Sequence, residues 1–167
     1  MTEDPSVLSA DTSWGSHLVP LMACVVNTTG PVLEVGMGYW STPLLHRYCL
    51  AAGRTLVSIE DNAKWTEQFK PYHVCHHKVG SANYDEYLKN ASHQPWSVVF
   101  LDHSPGRRRA ADAVMFQDVA EYILSHDYSG AEVYDPFQEV IGNWKYSKVA
   151  AFSPSTLVLS NTKEIPF

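Results

Sequence analysis

The stretch "GPVLEVGMGYWSTPLLHRY", residues 30–48, decides how the chain is read. Val32-Leu33-Glu34-Val35 is a short apolar run of the kind that forms a buried strand. It ends in Gly36-Met37-Gly38, followed by the aromatic pair Tyr39-Trp40 and then Ser41-Thr42-Pro43. Glycine lets the backbone turn tightly and lets a ligand approach the main chain. Ser or Thr at a helix start caps free N–H groups, and proline suits the first turn. A strand, a glycine turn and a helix N-terminus in succession commonly hold a nucleotide-like ligand. The G-x-G-x-x-G spacing of a dinucleotide site would need glycine at position 41, where Ser41 stands. At this point a damaged dinucleotide site, a different cofactor's site and a plain tight turn all remain open.

The same alternation recurs along the chain. Trp14 to Val26 carries apolar residues on a helical period, interrupted by Pro20, and Pro43 to Ala52 reads as a helix ended by Gly53. Thr55–Ile59 is a strand, Ala63–Phe69 a helix, and Pro71 precedes a weaker strand at His73–Val79. A short helix at Tyr84–Leu88 leads to Trp96–Leu101 (WSVVFL), a buried strand, and then to a helix at Arg107–Asp118. Glu121–Ser125 is a strand and Asp135-Pro136 opens a helix to Ile141. Tyr146–Phe152 and Ser155–Ser160 read as an antiparallel hairpin around Ser153-Pro154. Strands alternating with helices imply a mostly parallel sheet covered on both faces. The expected fold class is therefore α/β, a three-layer α/β/α sandwich around a seven-stranded sheet with an antiparallel C-terminal hairpin. One domain is expected over 1–167, with a helical segment at 1–29, a ligand-binding core at 30–128, and a helix and closing hairpin at 129–167.

Bulk properties narrow the function classes. The chain has 167 residues, 45% of them hydrophobic, which is enough for one real core. Its formal net charge of -6 argues against duplex nucleic acid as the main partner. No apolar run approaches the length of a membrane span, and the polar start (Met1 to Ser6) lacks the pattern of a secretory signal. The three cysteines, Cys24, Cys49 and Cys75, lie in apolar surroundings without framework spacing, which suits reduced thiols and a cytoplasmic protein.

In open sheets of this kind, ligands bind beyond the carboxyl ends of the strands, so the residues there carry the functional reading. Glu60 and Asp61 end the second strand, 24 residues past Gly36 for Glu60, a distance that suits an acid on ribose hydroxyls. Asp61 or Asn62 also suits the cap of the next helix. Gly80-Ser81 forms a small turn able to pass beneath an adenine ring. Asp102-His103 ends the Trp96–Leu101 strand, followed by Ser-Pro-Gly and three arginines. Positive charge opposes the dipole at a helix start, so Arg107, nearest the strand, is the candidate for holding an anionic group. His126-Asp127 ends the next strand and faces the same crevice if the two strands are neighbours. Such a set can bind a divalent metal, exchange a proton with substrate, or bond internally. Cys75-His76-His77 is discounted as a ligand set, because adjacent strand residues point to opposite faces.

Taken together, "VLEVGMG", "LVSIED" and "WSVVFLDH" resemble the class I, Rossmann-like S-adenosylmethionine-dependent methyltransferases, over roughly residues 30–128. The hairpin is also the usual ending of that fold. "VVFLDHSPGRRRAAD" and "ILSHDYS" are similar to a small bacterial-type branch of it. The resemblance implies S-adenosylmethionine as cofactor, with Gly36 and Gly38 at its methionine end and Glu60 on its ribose. Glu34, Tyr39, Ser41, Asp61, Gly80, Ser81 and Asp102 complete the expected cofactor pocket. Metal-assisted members use acids after the fourth and fifth strands, and Asp102 and Asp127 resemble that arrangement. The second acid or Asn often found beside the fifth-strand aspartate is replaced here by His126 and Tyr128.

Three functions follow as expectations. The first is methyl transfer to a hydroxyl, amine or carboxylate of a small molecule, by a monomer or homodimer. His103, His126 and Asp127 would then be catalytic, and Trp40, Arg107 and Tyr128 would meet the acceptor. Methylation of a nucleic-acid base is not expected, because no Asn-Pro-Pro-Tyr-like signature follows Leu101. The second is a non-catalytic domain that binds the same nucleoside cofactor or a partner. The third and weakest is a nicotinamide dehydrogenase, against which Ser41 counts.

Overall fold

The computed structural model describes residues 15–72 and 84–167. Within them a six-stranded sheet runs in the spatial order β2-β1-β3-β4-β6-β5. The strands are β1 (Val32–Val35), β2 (Leu56–Ile59), β3 (Trp96–Leu101), β4 (Ala120–Ser125), β5 (Tyr146–Ala150) and β6 (Thr156–Ser160). The first four are parallel; β6 runs antiparallel to β4, and β5 antiparallel to β6. The described sheet thus has six strands rather than the seven expected. The expected strand at His73–Val79 lies outside the described residues, as do Gly80, Ser81 and Cys75.

Alternation along the strands sorts the core into two layers. Leu33, Val35, Val99, Leu101 and Ile123 face a layer formed with α4 (Tyr84–Ala91), α5 (Arg109–Met115) and α6 (Ala131–Val140). Val32, Val98, Phe100 and Leu124 face α1 (Leu18–Val26) and α2 (Ser41–Ala51), where Leu21, Cys24, Leu45 and Cys49 pack. Each fully buried Leu or Phe contributes about 1.5–3 kcal/mol through removal of apolar surface from water. Cys24 and Cys49 are free and buried, and burial pushes their thiols up to about 12 and about 11.

Local chemistry explains where the elements start and stop. Pro20 lies in the first turn of α1, where its missing N–H forfeits no intrahelical bond. Arg54 is buried and caps the end of α1, with Nη1 donating to Val25 O (2.6 Å) and Nε to Gly30 O (2.8 Å). Two expectations are corrected. Asp135-Pro136 does not open its helix: α6 begins at Ala131, with Val133 and Tyr134 N–H groups donating to Gly130 O. Burial of Val133 and Phe137 on one face outweighs the backbone bond that Pro136 cannot make. The helix expected from Arg107 is instead a 3-10 turn at Gly106–Arg108 followed by α5, which stops at Met115. Among the described residues, no helix is long and apolar enough to cross a membrane.

Candidate functional site

β1 has β2 on one side and β3 on the other, so strand order reverses between β1 and β3. A cavity of about 610 Å3 opens there, at the carboxyl ends of the parallel strands. Its size is that of a site for a drug-sized ligand. Its walls come from the loop after β1, the ends of β2, β3 and β4, His17 before α1, and Pro154 between β5 and β6.

One end is framed by backbone. Gly36 sits at φ +91°, a left-handed conformation, and a Cβ there would lie 2.6 Å from His103 N. The glycine therefore lets β1 turn away directly beside the end of β3. Glu60 is buried at the end of β2, where Oε2 accepts from Met37 N (3.1 Å) and Oε1 from Asn62 N (2.9 Å). Burial raises its pKa, and those two amides oppose the rise. Asn62 also caps α3 (Ala63–Gln68), accepting from Lys64 N and Trp65 N. Trp65 returns from α3 to donate its indole N–H to Met37 O, and Tyr39 packs edge-on against it at 5.0 Å. Among the described residues, a Cβ at Gly38 would meet nothing nearer than Ser41 Oγ at 3.4 Å.

The other end is framed by side chains. Arg109 is buried, and all three of its nitrogens are engaged within the protein. Nε donates to His103 O (2.7 Å), Nη1 to His126 O (2.9 Å) and Asp127 Oδ2 (3.3 Å), and Nη2 lies 3.3 Å from Asp102 Oδ1. His126 Nδ1 is 3.2 Å from the same Asp102 oxygen, and its Nε2 is 2.9 Å from Ser16 Oγ. His103 Nε2 sits 2.7 Å from Asp112 Oδ2, which also takes Arg108 Nε. Asp127 adopts φ 55°, a left-handed conformation that Asp tolerates better than most residues. His17 is held neutral: burial and the nearby His126 push it down to about 4, against the pull of Asp102.

Of the residues expected at the site, Gly38, Tyr39, Trp40, Glu60, Asp61, Asp102, His103, His126 and Asp127 line this one cavity. Others do not. Glu34 is fully buried on the α1–α2 side of β1, accepting from Thr42 Oγ1 (2.9 Å) and Ser58 Oγ (2.6 Å). Burial pushes it up to about 7. Gly36 and Ser41 are buried behind the loop. Tyr128 packs on Phe137, with its hydroxyl accepting from Gln138. Arg107 is exposed and outside the lining; the 3-10 turn carries Arg109 to the crevice in its place. Asp102 and Asp127, the pair the resemblance offers for a metal, share the guanidinium of Arg109, which does not fit a hard cation held between their oxygens. His17, Asn62, Trp65 and Arg109 were not expected at the site. Asn62 was legible only as a cap, and nothing in the local pattern around His17 marks it.

No protein-family model and no curated protein matches the chain. Solved structures do. A protein from Klebsiella pneumoniae provisionally assigned as an O-methyltransferase superposes with a TM-score of 0.65 at 15% identity, covering 97% of this chain and 84% of that one. An S-adenosylhomocysteine-bound methyltransferase from Podospora anserina gives 0.65 at 14% identity, over 87% and 77%. Human methyltransferase-like protein 13, in complex with S-adenosylhomocysteine, gives 0.60 at 12% identity, over 94% and 83%. The fold of this chain is that of the class I, Rossmann-like methyltransferases.

Proposed function

We propose that this chain, with its class I methyltransferase fold, is an S-adenosylmethionine-dependent methyltransferase acting on a hydroxyl, amine or carboxylate of a small molecule. The observation that carries the reading is Glu60: a buried carboxylate at the end of β2, pinned by the Met37 and Asn62 amides beside the glycine loop. Each Glu60 oxygen accepts one N–H from the protein and keeps a lone pair for a ribose hydroxyl. The bare edge of Gly38 gives the methionine end room to pass, and the cavity continues to Asp102, His103 and His126. S-adenosylhomocysteine in two of the similar structures supports the same cofactor here.

When bound, the cofactor supplies an activated methyl group on a sulfonium. The chain's own residues align the acceptor and receive any proton it loses. Asp127 is the most solvent-reachable of the acids at that end and offers Oδ1 to an acceptor N–H or O–H. Arg109 is engaged on His103, His126, Asp102 and Asp127, so its role is to position these strand-end residues. Free, buried thiols at Cys24 and Cys49 support the cytoplasmic reading.

The alternative, a domain that binds the cofactor without turnover, draws on one observation. Both strand-end imidazoles already have partners, His103 on Asp112 and His126 on Ser16 and Asp102. Calorimetry with S-adenosylmethionine and S-adenosylhomocysteine tests the cofactor; no binding by the folded protein at high micromolar concentration removes both readings. Mass spectrometry of a broad acceptor panel then separates them, because only the enzyme yields methylated product.

A further inference from the structure

His17 is 2% exposed, with its ring 4.8 Å from that of Phe100 and 4.5 Å from that of His126. Neither of its ring nitrogens has a hydrogen-bond partner among the described residues, although the residue lines the cavity. An unpaired buried polar atom is costly, and here one ring carries two. Such a group points to a partner that is not among the described residues.

His126 gives a second, independent sign. Ser16 has a single hydroxyl hydrogen and donates it to Pro154 O (2.7 Å). The 2.9 Å contact between Ser16 Oγ and His126 Nε2 is then an N–H of His126 donating to the hydroxyl. In that tautomer Nδ1 carries a lone pair, and it faces Asp102 Oδ1 at 3.2 Å and Asp127 Oδ1 at 3.5 Å. A lone pair set against two carboxylate oxygens is repulsive unless positive charge lies between them. A second proton on His126 would answer that contact but leave His17 unpaired. A cation answers both.

The geometry suits one. Ligand atoms of His17, Asp102 and His126 all lie within 4.8 Å of one another. Tetrahedral metal–ligand bonds of about 2.0–2.2 Å space their ligand atoms about 3.3 Å apart, close to the His126–Asp102 separation. The Nε2–H donated to Ser16 is the outer contact that orients a metal-binding histidine. The oxygen that gives this spacing, Asp102 Oδ1, also lies 3.3 Å from Arg109 Nη2, so a cation there would share it with the guanidinium, while Oδ2 makes no hydrogen bond among the described residues. Two imidazoles and one carboxylate favour a borderline first-row ion over magnesium or calcium.

We propose that His17, Asp102 and His126 form a binding site for a zinc-type divalent cation at the wall of the cavity. This site differs from the Asp102–Asp127 pair because His17, from the turn before α1, replaces the second acid. Three protein ligands leave a position for a water or an acceptor atom.

The test uses the full chain, stripped of metal with a chelator, and needs no methyl donor, so it stands apart from the methyltransferase reading. Zinc is titrated by calorimetry and cobalt(II) by visible absorption. The expected result is one site with a Kd of about 1 µM or below, and cobalt bands of four-coordinate intensity. His17→Ala and Asp102→Asn, each checked for native circular dichroism, should weaken zinc about 100-fold, while the exposed-residue control His93→Ala leaves it unchanged. No zinc binding by the wild-type protein at about 100 µM overturns the proposal, as does equal binding by a folded His17→Ala or Asp102→Asn variant.

Discussion

At the glycine-loop end of the cavity the wall is shaped by main chain: the Met37 and Asn62 amides on Glu60, and the Met37 carbonyl under Trp65. At the opposite end four side chains from the termini of β3 and β4 and the start of α5, Asp102, His126, Asp127 and Arg109, hold one another. The first kind of wall depends on residues that permit a backbone path, the second on charges that balance. They should fail in different ways when altered.

The sharpest break is expected at Gly36→Ala. A left-handed φ and a Cβ at 2.6 Å from a backbone nitrogen cannot be relieved by a side-chain rotation. Strain and overlap together should cost about 4 kcal/mol, read as a shift in the urea midpoint or as loss of soluble protein. A near-wild-type midpoint would show that the loop is not held against β3. At the side-chain end, Arg109→Met leaves the acids without their shared cation and should cost about 3 kcal/mol by the same measurement. Stability retained there would mean the cluster is not charge-balanced as described.

Glu34 lies beneath the loop and supplies a pH test. Burial raises its pKa in the fold to about 7 from the ordinary 4.5, so the folded state holds this proton more tightly than the unfolded chain. Its contribution is fully present below about 4.5 and is lost as pH rises through about 7, amounting to about 3 kcal/mol. Relative to Glu34→Gln, the wild type should lose stability across that window, measured by denaturant midpoints at several pH values. Parallel profiles for the two proteins would contradict the assignment.

These contrasts follow how much of each end was legible. The glycine turn, the acid at the end of β2 and the paired strand termini are short-range features: a strand period followed by a fixed residue type. The structure places Gly38, Glu60, Asp102 and His126 in the lining of one cavity. The side-chain end needed the phase of a turn. Three arginines in a row cannot say which one faces inward, and the 3-10 turn before α5 exposes Arg107 while burying Arg109. Tyr128 follows the Asp127 left-handed turn into the core rather than the crevice. His17 joins the site only because α1 packs across β3, a contact between residues 83 apart with no local sign. Pro136 misled because its local cost was outweighed by the burial of Phe137.

Smaller effects sharpen the contrast further. Glu60→Gln should keep the fold, checked by circular dichroism, and weaken S-adenosylmethionine about 30-fold by calorimetry, the worth of one charged hydrogen bond. Unchanged affinity would move the ribose away from β2. Arg107→Ala should change both stability and cofactor affinity least, within about 0.5 kcal/mol, as for other exposed residues.

The most direct measurement is a crystal structure of the protein with S-adenosylhomocysteine. The ribose hydroxyls are predicted on Glu60, the amino-acid part over Gly38, and the sulfur turned toward Asp102 and His126. A ligand bound elsewhere, or a ribose that does not touch Glu60, would contradict the assignment of this cavity as the methyl-donor site.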